Sequence, residues 1–216
     1  MPNLFLCAAE PINLFNGKDL TGWEGDQQYW SVQGDVIVGE TKTNTVPKNF
    51  LVWRGGEIAD GTITFSARLV NARNNSGVMY RANVEGDKVK GYQLDINKGA
   101  ENMAKLYDEG IRGRVCMSGE QVIWEKQADG KYGKTLVGQI GTREQRESAD
   151  HQGEWNTFRI VAKGNHVEHF INEVKVIDFT DKEEGKASKK GFIALQLHAG
   201  VAMRVEFKDI VLTQSH

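Results

Sequence analysis

A chain of 216 residues with 39% hydrophobic content is long enough to bury a core without disulfide or metal staples, and suits one medium-sized domain. Its 27 basic and 29 acidic residues are interspersed and leave a net charge of −2, which excludes a basic nucleic-acid footprint or a polybasic membrane arm. No apolar run approaches the ~20 residues that a membrane-spanning helix needs. Two cysteines, Cys7 and Cys116, make no disulfide framework, and the absence of CxxC and HExxH leaves no sequence-level zinc motif.

In chain order, Leu4-Phe5-Leu6 followed by Cys7-Ala8-Ala9 reads like the tail of a signal peptide with a small-x-Ala cleavage site before Glu10. Residues 1–10 are therefore set apart as a signal-peptide remnant or frayed terminus, and residues 11–216 as a single sandwich domain. The segment points to export, to the periplasm or the medium. A turn-rich opening, Leu14-Phe15-Asn16-Gly17 through Trp23, precedes a hairpin over residues 29–38 that turns at Gln33-Gly34. Phe50-Leu51-Val52-Trp53 is a short apolar strand. Residues 61–69 alternate cleanly, with Ile63, Phe65, Ala67 and Leu69 on one face and Thr62, Thr64, Ser66 and Arg68 on the other. The turn Asn74-Asn75-Ser76-Gly77 leads into the strand Val78-Met79-Tyr80-Arg81.

The strand Gly91-Tyr92-Gln93-Leu94-Asp95-Ile96-Asn97 presents Tyr92, Leu94 and Ile96 to a core and Gln93, Asp95 and Asn97 to the opposite side. Three short polar side chains in a row resemble a surface that grips a polar ligand. Residues 104–114 follow, with Tyr107, Asp108, Glu109 and Arg112. Residues 126–152 are polar and glycine-punctuated, and read as a long excursion with one short helix near 143–149; a lid over a site is one use of such a segment. The last third returns to strands at 156–162, 167–171, 174–179, 192–198 and 205–212, with a charged, solvated turn over 182–190. Short strands with glycine-rich turns and no amphipathic helix predict an all-β sandwich.

Phe192-Ile193-Ala194-Leu195-Gln196-Leu197-His198 repeats the alternation, so Gln196 and His198 share the face opposite Ile193, Leu195 and Leu197. Arg81 alternates away from Val78 and Tyr80. Three strands thus predict Arg81, Gln93, Asp95, Gln196 and His198 on one polar face, a set suited to binding sugar hydroxyls or to acid–base work. A retaining glycosidase needs two carboxylic acids about 5 Å apart. The alternating set holds only Asp95, and a second acid would have to come from Asp108 or Glu109. No G-x-S-x-G elbow, activated cysteine or phosphate-cradling glycine loop is present, so nucleophilic hydrolysis and nucleotide cofactors are not favoured.

Six ordered motifs carry a resemblance: Phe15-Asn16-Gly17-Lys18-Asp19-Leu20-Thr21-Gly22-Trp23, Asn75 to Arg81, Gly91 to Ile96, Leu106-Tyr107-Asp108-Glu109, Gly153-Glu154-Trp155-Asn156, and Gly191 to His198. Together they resemble the 3-keto-disaccharide hydrolase family, also described as 3-keto-glucoside lyase/hydratase, over nearly the whole chain. The resemblance implies a concanavalin A-like jelly roll of two antiparallel sheets, one of them concave and sugar-binding, in a protein exported from bacteria. One departure from the family pattern is Glu173 after Asn172, where a glycine would suit a turn needing positive φ. The implied chemistry needs no carboxylate pair. A ketone at C3 acidifies the C2 proton, a base removes it, the aglycone leaves by elimination, and water adds to the unsaturated sugar.

On that resemblance His198 or Asp95 is the expected base, Arg81 the enolate stabiliser, and Gln93 and Gln196 the hydroxyl ligands. Tyr107, Glu109 and Arg112 are expected on a rim loop, Glu109 as the reserve acid–base group, and His169 is a further candidate. The pattern neither demands nor excludes a divalent metal held by His198 and an acid, which would polarise the ketone. The expected partner is an oxidised glucoside or disaccharide. Two other readings stay open: a non-catalytic carbohydrate-binding module on the same face, and a conventional glycoside hydrolase.

Overall fold

The computed structural model describes residues 10–43, 48–70 and 75–215. The expected signal-peptide tail at residues 4–9, with Cys7, and the turn residue Asn74 lie outside the described residues. The first half of the chain forms β1 (Ile12–Asn13), β2 (Trp23–Glu24), β3 (Trp30–Gln33), β4 (Val36–Thr41), β5 (Asn49–Ile58), β6 (Gly61–Leu69), β7 (Ser76–Glu85) and β8 (Lys88–Ile96). The second half forms β9 (Leu106–Glu109), β10 (Gly113–Cys116), β11 (Glu120–Lys126), β12 (Tyr132–Gln139), the helix α1 (Arg143–Ala149), β13 (Asn156–Lys163), β14 (His166–Ile171), β15 (Val174–Asp181), β16 (Gly191–Leu197) and β17 (Met203–Gln214). Among the described residues no helix is long and apolar enough to cross a membrane.

Two sheets pack face to face. One runs β12-β11-β15-β14-β13-β6-β17-β4-β3, with β1 paired to β17, and the other runs β10-β9-β8-β7-β16-β5-β2. Pairing is antiparallel except between β11 and β15. The period-two alternation anticipated on β6, β8 and β16 places Ile63, Phe65, Tyr92, Leu94, Ile193 and Leu195 in one shared core between the sheets. Phe65 and Phe158, directly opposite on β6 and β13, stack with centroids 5.1 Å apart. Each such large buried side chain contributes roughly 1.5–3 kcal/mol through area removed from water. The arrangement is the all-β jelly-roll sandwich that the alternation and the resemblance predict.

The polar stretch over residues 126–152 is not a lid. It contains β12, a full strand that hydrogen-bonds to β11 at the far edge of the ten-stranded sheet, away from the sheet that carries the polar face. Gly133 and Gly138 disguise it as loop, but the backbone ladder with β11 overrides their weak strand preference. The short helix does form at Arg143–Ala149, started by a capping box in which the Thr142 hydroxyl accepts from the Gln145 amide and the Gln145 side chain accepts from the Thr142 amide.

The alternation of β7 fails at one point. The β7–β8 register slips between Tyr80 and Asn83, and Arg81 takes φ 49°. This bulge turns Arg81 inward to the end of the sandwich instead of onto the outer face. Gly191 accommodates it: a β-carbon there would stand 2.4 Å from the Ala82 carbonyl oxygen and 2.6 Å from the Arg81 carbonyl carbon, so only glycine lets β16 approach the bulge.

Candidate functional site

The outer face of the seven-stranded sheet is where alternation collects polar groups. Gln93 and Asp95 rise from β8, Tyr107 and Glu109 from β9, Gln196 from β16, and His198 follows directly on β16. All but Gln196 line a cavity of about 310 Å³, together with Lys48 and Lys105. Gln196 lies against it, donating to Gln93 and Glu109. Beneath Gln93 lies a glycine. Gly77 pairs with Asp95 on one side and Gln196 on the other, and its missing side chain leaves room for Gln93 to lie across it.

The groups form one hydrogen-bonded network. The Lys105 ammonium sits 2.8 Å from Asp95 Oδ2, and the Gln93 amide donates to Asp95 Oδ1. Gln196 Nε2 donates to Gln93 Oε1 at 2.8 Å and reaches Glu109 Oε2 at 3.3 Å. Glu109 Oε1 is held by Lys48 Nζ at 2.8 Å. Burial pushes the Asp95 carboxyl above its usual range, against the opposing pull of Lys105, Gln93 and His198. Both Asp95 oxygens are thereby occupied. His198 differs: its Nδ1 hydrogen-bonds the Ala199 carbonyl at 2.7 Å, an acceptor that calls for a proton on Nδ1, so in the neutral ring the lone pair is on Nε2.

Three expected site residues lie elsewhere. Arg81 is fully buried. It pairs with Asp60 at 2.9 Å and donates to the carbonyls of Ala59, Gly164 and Ser188, closing the turns at one end of the sandwich. Arg112 does not sit on a rim loop. The turn after β9 sends it inward, where it pairs with Asp108, Asp181 and Glu183 and lies over the Tyr92 and Trp124 rings. Asp108 alternates with Tyr107 and Glu109 and so faces this buried cluster, not the cavity. His169 is a core residue. Its Nδ1 donates to the Ala104 carbonyl and its Nε2 accepts from the Tyr80 hydroxyl, both at 2.8 Å, and burial lowers its pKa to about 4.

Three cations that line the cavity, Lys48, Lys105 and Arg114, went unpredicted. Lys105 extends the alternation Lys105, Tyr107, Glu109 back by two positions, and Lys48 does the same for Phe50 and Val52. That signal was available in the sequence, one step before each recognised strand. Lys105 supplies the positive charge expected of Arg81.

Among the described residues, the His, Cys, Asp and Glu atoms close enough to share an ion are those of His166, Glu168 and Asp178 on the ten-stranded sheet. There the Lys175 ammonium already stands 2.9 Å from Glu168 and 2.8 Å from Asp178. His198 and Asp95 are not in that group.

The fold and this site set the context for likeness to known proteins. A candidate glycosyl hydrolase from Parabacteroides distasonis superposes with a TM-score of 0.62 at 20% identity, over 95% of this chain and 94% of its own. The carbohydrate-binding module CBM66 from Bacillus subtilis superposes at 0.54 with 14% identity, over 90% and 96%. The kappa-carrageenase from Pseudoalteromonas carrageenovora, solved with an oligotetrasaccharide of kappa-carrageenan, gives 0.56 with 10% identity, over 99% and 98%. At these identities the shared property is the fold. No curated protein matches the sequence. The profile of the 3-keto-alpha-glucoside-1,2-lyase-like domain matches residues 10–213, and the chain belongs to that family, which makes it a carbohydrate-active protein.

Proposed function

We propose that the protein cleaves 3-keto-glycosides by elimination and hydration in the cavity over Gly77. The observation that carries this reading is the place of His198 on the cavity with its Nδ1 tied to the Ala199 carbonyl, which leaves Nε2 as the base. His198 takes the proton from C2 of the oxidised sugar. The electron pair forms the C1–C2 double bond as the C1–O bond breaks, and Lys105 stabilises the charge that develops on the C3 oxygen. The Lys48 ammonium, oriented by Glu109, gives its proton to the leaving oxygen. Water then adds at C1, passing a proton to Lys48, while His198 returns its proton to C2. The net change is hydrolysis.

Asp95 is the weaker candidate for base, since Lys105 and Gln93 occupy both of its oxygens. Its role in this scheme is to hold Lys105, and the Gln93–Gln196 pair sets the polar surface that meets the sugar hydroxyls. Alternation along β8, β9 and β16 supports the assignment because one face carries base, cations and amides together.

The test is incubation with a 3-keto-disaccharide and with its unoxidised parent, following release of the two sugars. Release from the keto form alone is expected. His198→Gln should lower turnover by about 10²–10⁴-fold while leaving binding of the keto sugar intact. Cleavage of the unoxidised parent would replace this reading with conventional hydrolysis by Asp95 and Glu109. Binding of the keto sugar by the wild type without turnover would make the domain a binding module.

A further inference from the structure

Beside the polar cavity lies a larger one, of about 470 Å³, within the ~300–1,000 Å³ typical of small-molecule sites. Lys48 lines both cavities. The second has a mixed lining: Phe50, Val52 and Val89 are apolar, and Glu24, Arg54 and Asp87 surround them with charge. The apolar part belongs to a satellite cluster outside the main core, in which Val52, Met79, Ala82, Val89 and Ala194 are buried while Phe50 stays half exposed. One wall carries a surface ion pair. Arg54 donates to Glu24 at 2.6 Å and lies over the Phe192 ring, 5.2 Å from its centroid. Val52 and Val89 come from β5 and β8, with β16 and β7 between them, so the β7–β8 hairpin supplies the wall opposite β2.

We propose that this second cavity is the leaving-group subsite and that it takes a pyranose ring stacked on Phe50, with Glu24 and Asp87 accepting from its hydroxyls. The inference rests on the function proposed above, which puts the oxidised sugar over Gly77. Adjacency points to it: Phe50 on β5 is the register partner of Gln196 on β16, and Gln196 in turn reaches Glu109. The passage from one cavity to the other therefore runs past Gln196, Glu109 and Lys48, where the glycosidic oxygen would lie and where its proton donor waits. The lining selects the ligand class. A pyranose has an apolar C–H face that suits the negative face of an aromatic ring, and an outer fringe of hydroxyls that suits carboxylates. A flat aromatic aglycone would offer Glu24 and Asp87 no hydroxyl to accept from, so the charged fringe of the cavity would add nothing to its binding. A methyl aglycone would leave the cavity unfilled.

The test compares two substrates, a 3-keto-disaccharide and methyl 3-keto-glucoside, in the wild type, Phe50→Leu and Asp87→Asn. Phe50→Leu keeps apolar burial and removes the flat ring face; Asp87 lies in an exposed turn, so its variant guards against a folding defect. The expected result is a loss of about tenfold in kcat/KM on the disaccharide for Phe50→Leu, a smaller loss for Asp87→Asn, and less than twofold change for either on the methyl glycoside. Equal losses on both substrates, or none, would overturn the subsite while leaving the reaction standing. Ligand-observed NMR with glucose, the free leaving sugar, separates the two failures. If the wild type cleaves neither keto substrate, the reaction is wrong, but glucose binding that Phe50→Leu weakens and His198→Gln does not would still establish a sugar subsite. Glucose binding indifferent to Phe50, or absent, would overturn it.

Discussion

Gln93 lies flat across Gly77: a β-carbon on that glycine would stand 2.7 Å from Cγ, Cδ and Nε2 of the glutamine. Gly77 sits between Asp95 and Gln196 in the sheet, so the one residue without a side chain lets three others meet. Its φ lies outside the left-handed region, so alanine there fits the backbone, and the three atoms nearest the new β-carbon all belong to Gln93.

Gly77→Ala should therefore act on the site more than on the fold. Overpacking at one buried position costs about 1–3 kcal/mol, a modest drop in thermal midpoint. Displacing Gln93 frees an oxygen of Asp95 and separates Gln93 from Gln196, and kcat/KM on a 3-keto-disaccharide should fall by about tenfold or more. Steady-state kinetics beside a melting curve checks this. Unchanged kinetics in a folded variant would show that the glutamine bridge is dispensable.

His169 gives the fold an acid sensitivity of its own. Burial lowers its pKa from 6.5 to about 4, so the unfolded chain takes up a proton at a higher pH than the folded one. Its contribution is complete above pH ~6.5 and is lost as the pH falls from there through about 4, by about 3 kcal/mol in all. Urea midpoints measured across this range should fall steeply for the wild type and less steeply for His169→Gln. Parallel pH profiles for the two proteins would contradict the assignment.

The hairpin between β14 and β15 carries a removable strain. Asn172 and Glu173 both take positive φ, 44° and 63°, the geometry of a type I′ turn. Asn172 is well suited and is anchored by the Thr157 amide, the Ala149 carbonyl and Asn156. Glu173 gains only an exposed pair with Arg159. Glu173→Gly should raise stability by about 0.5–1 kcal/mol, the relief of left-handed strain outweighing the added freedom of the unfolded chain. A chemical denaturation midpoint that moves down instead would show that the Arg159 pair matters more than the backbone.

The sandwich and most of the polar face are legible in the local pattern of the chain. Strict alternation on β6, β8 and β16 leaves one arrangement that buries Ile63, Tyr92, Leu94 and Leu195, and the same period sends Gln93, Asp95, Gln196 and His198 outward. Alternation is a local property and is readable one strand at a time.

Which cations line the cavity is settled by long-range packing. Arg81 leaves the face because a bulge, made possible by Gly191 on a neighbouring strand, shifts the register by an amount that no local pattern announces. Arg112 turns inward because Asp108, Asp181 and Glu183, up to 71 positions away, converge to pair with it. His169 obeys alternation, but which face of β14 was the core depended on the opposite sheet, whose Tyr80 its ring meets. Lys48, just before β5, enters the site through Glu109 on β9, across the sheet, and Lys105 through Asp95 on the neighbouring strand β8. Pairing across strands is a long-range event, and the chain fixes it only when folded.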